Sequence, residues 1–258
     1  MEIRVENPKE YSFMIQDKKI NGIISSNKEE ILDKLYFKNS SIDTILIDGE
    51  EISHDDLLLY KKKIKIVSEE MDEFFYRYKV YEYMYLEIQR NELSLINPKK
   101  KVLDTLKIVG LDITYLNRNI HDLSSSERKL LQLGVCLMAN PEVIILVEPF
   151  RDFDRKTERR ILSFLQIIKE QYDKTIVILS DDTNMLYQYA DYCIIEKGHK
   201  ILMEGKAEMV LEQVNFLMAN AIMVPDIVKF IFIAKERKAK IDFHKDIRDL
   251  IKDIYKHV

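Results

Sequence analysis

The sequence predicts an α/β fold with parallel strands buried on both faces, and three observations carry that expectation. Apolar runs at Val143–Val147, Thr175–Leu179 and Cys193–Glu196 are four or five residues long and bounded by polar or turn residues, the pattern of strands covered from both sides. Earlier in the chain, short β-branched runs alternate with helical patterns. Finally, 258 residues with 47% hydrophobic and 33% charged side chains are enough for one compact domain with an appendage, which excludes disordered and fibrous classes.

In chain order, strands are expected at Glu2–Val5, Ser12–Ile15, Asn21–Ser25, Ile45–Ile47 and Ile64–Val67. Between Asp72 and Asn140 the pattern is helical, with Pro98 placed as a helix start and Gly110 as a stop, so residues 72–140 read as an inserted helical subdomain. Glu196-Lys197-Gly198-His199-Lys200 reads as a two-residue hairpin turn, because Gly198 can take the positive φ such a turn needs. Beyond Gly205 the chain becomes helical again. Near its end Ile247, Leu250, Ile251, Ile254 and Tyr255 fall on one helix face, a stripe expected to pack on the body or on a partner. The expected organisation is an α/β core over 1–205 and a helical extension over 206–258.

Charge and composition narrow the function classes. Forty Lys and Arg stand against 44 Asp and Glu, for a net charge of −4, and no stretch concentrates positive charge as a nucleic-acid groove requires. The longest uncharged apolar stretches, Val135–Pro141 and Gln213–Pro225, fall short of the roughly 18 residues that cross a bilayer, and the first residues lack a signal-peptide apolar region. Cys136 and Cys193 sit among apolar neighbours without metal-type spacing, so both are expected to be reduced core residues and no metal centre is expected. Six glycines, where average usage would give roughly 18, matter because phosphate-cradling loops are built on glycine.

Leu123-Ser124-Ser125-Ser126-Glu127-Arg128 opens an amphipathic helix, and Ser124 with Glu127 makes an S-x-x-E capping box. The order of residues downstream of that box is more specific: Asn140-Pro141-Glu142, the strand Val143–Val147, Glu148-Pro149, then Asp154, all at fixed distance. That order resembles the ATP-binding subunits of ABC transporters, in which a Leu-Ser-Gly-Gly-Gln signature opens a helix, a buried strand ends in Asp-Glu-Pro, and an Asp comes soon after. Ile45–Gly49 matches the strand and turn after the phosphate-loop helix, and Leu179-Ser180-Asp181-Asp182 stands where the family has Ser-His-Asp. The resemblance covers residues 1–205 and implies a P-loop NTPase-like ABC ATPase core. The tail is similar to the C-terminal extension of the energy-coupling-factor subfamily, which serves vitamin and metal-ion importers.

The departures from that family all concern the chain's own nucleotide site. A phosphate loop points successive backbone N–H groups at phosphates, with a Lys for charge and Ser or Thr for magnesium. The corresponding stretch, Gly22 to Glu30, is about three residues short when Lys28 is aligned with the family lysine, and Glu29 and Glu30 stand where small hydroxyls belong. At a helix N-terminus those acids gain from the macrodipole, filling electrostatically the place of an anion, and Lys28 reads as part of an ordinary capped helix. Val147 replaces the magnesium-holding aspartate, and its methyls offer no oxygen ligand. Glu69 lies near the family glutamine, and Asp181 replaces the γ-phosphate histidine. Each added negative charge repels a triphosphate by several kcal/mol at short range, at an effective dielectric of about 20. Hydrolysis by the chain's own site is therefore not expected; Glu148, at the general-base position, has no obvious nucleotide to act on and reads as a residual carboxylate near the strand end.

The features that survive belong to a neighbouring subunit's site. In this family two ATP-binding subunits sandwich each nucleotide between the phosphate loop of one and the signature helix of the other. Ser124, Ser125, Ser126 and Glu127 at a helix N-terminus could still serve a partner's phosphate, and Asp154 matches the loop aspartate that crosses the interface. Ser125 and Ser126 add side chains at the closest approach, so this contribution stays open. Seven aromatics between Phe74 and Tyr85 either fill the helical subdomain or face a groove for a membrane subunit. The resemblance thus implies a second ATP-binding subunit, a transmembrane transporter subunit, a cytoplasmic place on the inner face of the membrane, and ATP with magnesium only at a site shared with the partner. The alternative is a non-transport ABC-like pseudoenzyme that regulates or scaffolds.

Overall fold

The computed structural model describes residues 1–7, 11–36, 44–53, 56–68, 73–91, 97–239 and 241–256. Its ten strands among these residues are β1 (Ile3–Glu6), β2 (Phe13–Ile15), β3 (Ile20–Ser25), β4 (Thr44–Ile47), β5 (Glu50–Glu51), β6 (Ile64–Val67), β7 (Val143–Val147), β8 (Thr175–Leu179), β9 (Tyr192–Glu196) and β10 (Ile201–Lys206). The helices are α1 (Lys28–Leu35), α2 (Leu57–Lys63), α3 (Val80–Arg90), α4 (Pro98–Val109), α5 (Ser125–Met138), α6 (Arg155–Tyr172), α7 (Thr183–Tyr189), α8 (Ala207–Leu211), α9 (Val214–Ala219), α10 (Asp226–Glu236) and α11 (Ile247–Lys256).

Two sheets organise the chain. An antiparallel sheet in the order β2-β1-β4-β5 lies beside a six-stranded sheet in the order β10-β9-β3-β8-β7-β6. In the larger sheet, β9, β3, β8, β7 and β6 run parallel, and β10 adds an antiparallel edge. Parallel strands need covered faces, and β3 and β8 are buried along their whole length. Because neighbouring side chains alternate between faces, Ile20, Ile24, Ile176 and Ile178 join the helical side of the core, while Ile23, Val177, Leu179 and Ile194 pack toward the antiparallel sheet. This register places the C-terminal ends of β3, β7, β8 and β9 together along one edge, the position at which open α/β sheets bind ligands.

The expected elements correspond closely to those observed, with strand ends displaced by about one residue. Asp48 and Gly49 both take positive φ (52° and 86°) in the turn between β4 and β5, as a two-residue hairpin demands. Pro98 opens α4 and Gly110 closes it at φ 83°. The stretch expected to be helical up to Asn140 also contains short 3₁₀ turns at Ile113–Asn117 and Ile120–Asp122. Both cysteines are buried and unpaired, and burial pushes each thiol up to about 12.

The seven aromatics are not all core residues. Phe75 and Tyr83 are buried, whereas Phe74 and Tyr85 are exposed, with Arg77 stacked on Phe74. The final stripe is covered within the chain mainly at Leu250, 4% exposed, while Ile247, Ile251 and Tyr255 face outward. No helix among the described residues is long and apolar enough to cross a membrane, and no group of His, Cys, Asp and Glu among them could hold a metal ion.

Candidate functional site

The turn between β3 and α1 contains only Ser26 and Asn27. Gly22, where the resemblance would begin the phosphate loop, lies inside β3 instead, and an added Cβ would meet Leu186 Cδ2 at 2.7 Å. Its missing side chain admits helix α7 and contributes nothing to a loop. Asn27 caps α1 by accepting from the Glu30 amide. Glu30 in turn accepts from the Tyr11 hydroxyl at 2.9 Å and meets His199 Nδ1 at 2.8 Å, so this acid is held within the chain.

Lys28, the first residue of α1, reaches across the sheet edge to the ends of β7 and β8. Its Nζ lies 3.1 Å from Glu148 Oε1 and 2.5 Å from Asp181 Oδ2. Burial alone would lower the lysine pKa, but the hydrogen bonds to Asp181 and Glu148 outweigh it and hold the ammonium above its ordinary value. Glu148 also accepts from the Ser180 hydroxyl at 3.1 Å and the Asp181 amide at 3.2 Å. The sequence therefore identified three residues, Lys28, Glu148 and Asp181, that the fold joins. Lys28 and Asp181 line two adjoining clefts, of about 470 and 410 Å³; Glu158, in the first, is pushed up by burial and by neighbouring Asp182.

The signature helix is tied to this edge by residues that sequence reasoning missed. Lys129, 3% exposed, donates to the Glu148 carbonyl at 3.1 Å and pairs with Asp152 Oδ2 at 3.1 Å. Asp152 also accepts from the Ser125 hydroxyl at 2.6 Å, and both contacts hold its carboxyl below the usual range. The ammonium thus anchors a backbone in which Glu148, before Pro149, has φ 41°, a conformation side chains rarely adopt. The available signal was a lysine on the otherwise apolar buried stripe of α5, with Leu130, Leu133 and Gly134.

Ser124 and Glu127 form the capping box read from the sequence. The Tyr115 hydroxyl bonds Glu127 Oε1 at 2.5 Å and, with Ser124, lowers the Glu127 pKa. Ser126 Oγ lies 3.2 Å from Ser124 Oγ. The carboxylate of Asp154 caps α6, accepting from the amides of Lys156 and Thr157 at 2.8 and 3.0 Å. The expected interface residues therefore all have partners within the chain. Glu29 is on the first turn of α1, and Glu69 lies outside the described residues.

The lysine at the start of α1, the strand β7 with Glu148 after its end, and the capped helix α5, gathered at the C-terminal edge of a parallel sheet, are arranged in the fold of an ABC ATPase cassette. Residues 29–151 match the ABC transporter family model. The chain is 28% identical over 137 residues to a putative ABC transporter ATP-binding protein of Pyrococcus abyssi, covering 52% of this chain and 49% of that one. It is 28% identical over 147 residues to an energy-coupling factor transporter ATP-binding protein of Clostridium perfringens, covering 57% and 50% respectively. The match spans about half the length of these curated relatives.

Among solved structures, the chain resembles cbiO1 of Clostridium perfringens, described as part of the ABC transporter complex cbiONQ. The TM-score is 0.67 at 21% identity, over 85% of this chain and 90% of that one. A dimeric ATP-binding cassette bound to ADP and phosphate gives 0.68 at 19% identity, over 80% and 99%. At these identities the structural likeness establishes the fold.

Proposed function

We propose that this chain is a degenerate ABC transporter ATP-binding subunit, the hydrolysis-defective half of a heterodimeric ATPase coupled to a membrane importer of the vitamin or metal-ion type. One observation carries the reading: the Lys28 ammonium is occupied by Glu148 and Asp181, where a nucleotide-binding lysine has to face phosphate. The residues present do not fit a magnesium-bound triphosphate. The turn offers two residues and no glycine, and Val147 ends β7 without an oxygen ligand.

In this reading a second ATP-binding subunit supplies the competent phosphate loop, a transmembrane subunit receives the motion, and the chain sits on the inner face of the membrane. The division into a core over 1–205, with helices over 72–140, and an extension over 206–258 belongs to the same proposal. ATP with magnesium would be held only at the partner's loop, against the end of α5, where Ser124 to Glu127 present a helix N-terminus. A specific observation favours the second reading, a regulatory or scaffolding pseudoenzyme: Ser125 is engaged by Asp152 and Ser126 lies beside Ser124, leaving these hydroxyls turned to the chain itself.

The deciding experiment has two arms. Calorimetric titration of the chain with magnesium ATP should give no saturable heat, and micromolar affinity lost in Lys28→Ala would overturn the degenerate-site reading. Copurification should recover a second ATP-binding subunit and a membrane subunit; recovery of neither favours the regulator.

A further inference from the structure

The β3–α1 turn already holds an anion, and that anion belongs to the chain. Glu196, the last residue of β9 and 2% exposed, turns its carboxylate into this turn. Its Oε2 accepts from Ser25 Oγ at 2.6 Å, the Ser26 amide at 3.1 Å and Ser26 Oγ at 3.3 Å, while its Oε1 accepts from the His199 amide at 2.9 Å. Backbone amides and hydroxyls converging at the start of a helix are the donors with which such folds hold phosphate oxygens. The second hydroxyl shell is also in place, because Ser25 Oγ accepts from the Asn27 amide at 2.9 Å and Ser26 Oγ from the Gly198 amide at 3.2 Å.

We propose that Glu196 is a built-in carboxylate plug of the shortened phosphate turn, an autoinhibitory contact occupying a latent site for inorganic phosphate or a phosphate ester. This deepens the degenerate-site reading and rests on it. Glu196, Ser25 and Ser26 open onto the cleft of about 410 Å³ that also contains Lys197 and the Lys28–Asp181 pair, so the space beside the plug accommodates a phosphate, with the Lys197 ammonium at its border. A carboxylate already taking the donors denies them to a second anion and repels it through its charge. The short turn and the plug are complementary. Loss of the loop brings the Ser26 amide close enough for a side chain from the neighbouring strand to reach it.

The test uses the full chain and inorganic pyrophosphate, followed by calorimetry and by melting temperature. The wild-type chain should show no saturable binding, whereas Glu196→Ala should bind at least tenfold more tightly, and Ser26→Ala added to that variant should remove most of the gain. Glu196→Gln preserves size and removes charge, so it decides the matter if the alanine variant does not fold; it should gain binding in the same direction. Folded Glu196 variants that bind no better than wild type overturn the plug, as does a wild-type chain that binds pyrophosphate as tightly as they do. Binding of magnesium ATP by the wild-type chain would instead bring down the degenerate-site reading, so the two failures are distinct.

Discussion

Lys28 and Asp181, separated by 153 positions in sequence, form an ion pair at 2.5 Å at the C-terminal edge of the parallel sheet. The lysine side chain is 22% exposed and its second partner Glu148 is 24% exposed, but Asp181 is 67% exposed. That asymmetry separates the two bonds energetically. A largely solvated acid contributes little, while a half-buried ammonium facing a half-buried carboxylate leaves an uncompensated charge when it is removed.

Lys28→Met should accordingly destabilise the chain by about 1–2 kcal/mol, and Asp181→Asn by less than about 0.5 kcal/mol. Urea unfolding of the two variants against wild type measures both. Equal losses would mean that Asp181, not Glu148, is the partner that fixes the lysine.

Much of this edge was legible in the sequence. Lys28, Glu148 and Asp181 each stand at a position marked by local sequence: a helix start, a strand end before proline, a strand end before a capping aspartate. Their convergence comes from parallel strand order, which the apolar runs of β7, β8 and β9 indicate. Glu196 and Lys129 were not legible in the same way. Their roles depend on distances between elements far apart in sequence, and a charge ending an apolar strand or standing on a buried helix stripe has no local period to mark its partner. The tail was legible as a helix but not as an exposed one, because periodicity identifies an apolar face without saying what covers it.

Lys129→Met should cost about 1–3 kcal/mol, because the buried ammonium satisfies both Asp152 and the Glu148 carbonyl. Amide hydrogen exchange would localise the effect. Faster exchange is expected around residues 148–152 and at the start of α5, and protection unchanged there would show that the lysine does not position this backbone.

The acid side of the stability profile should reflect the signature end of α5. Asp152 is held below its ordinary value of 3.8 by Ser125 and Lys129, and Glu127 below 4.5 by Tyr115 and Ser124. Folded values below the unfolded ones mean that the unfolded chain binds more protons in this range. The contribution is complete above about pH 5 and disappears as pH falls through the lowered folded values. Denaturant unfolding between pH 6 and pH 3 should show this decline, and Asp152→Asn should flatten its lower part. A variant as acid-sensitive as wild type would remove Asp152 from the explanation.

If the chain pairs with a second ATP-binding subunit as proposed, Ser124→Arg should abolish ATP turnover by the partner's site in the reconstituted pair, since it places a bulky side chain at the N-terminus of α5 and breaks the capping box with Glu127. Glu148→Gln in this chain should change turnover little. Steady-state phosphate release from both assemblies is the readout, and comparable losses would contradict the division of labour between the two subunits.

The tail supplies the last prediction, because its energetics and its exposure point in different directions. Leu250 is 4% exposed, and a buried leucine contributes about 1.5–3 kcal/mol. Lys245 and Glu208 pair at 3.0 Å, but with half of the glutamate side chain exposed the bond contributes under about 1 kcal/mol. Ile247, Ile251 and Tyr255, exposed by 65%, 45% and 78%, contribute little to the isolated fold. Removing residues 241–258 should therefore lower the melting temperature by only about 5–10 °C, at roughly 2–4 °C per kcal/mol for a chain of this size. If those exposed side chains face a second ATP-binding subunit, the same truncation should weaken assembly far more than it weakens the fold. Sedimentation of the reconstituted pair alongside melting of the truncated chain separates the two effects. Intact assembly accompanied by a much larger fall in melting temperature would assign the stripe to intramolecular packing and remove the tail from the proposed interface.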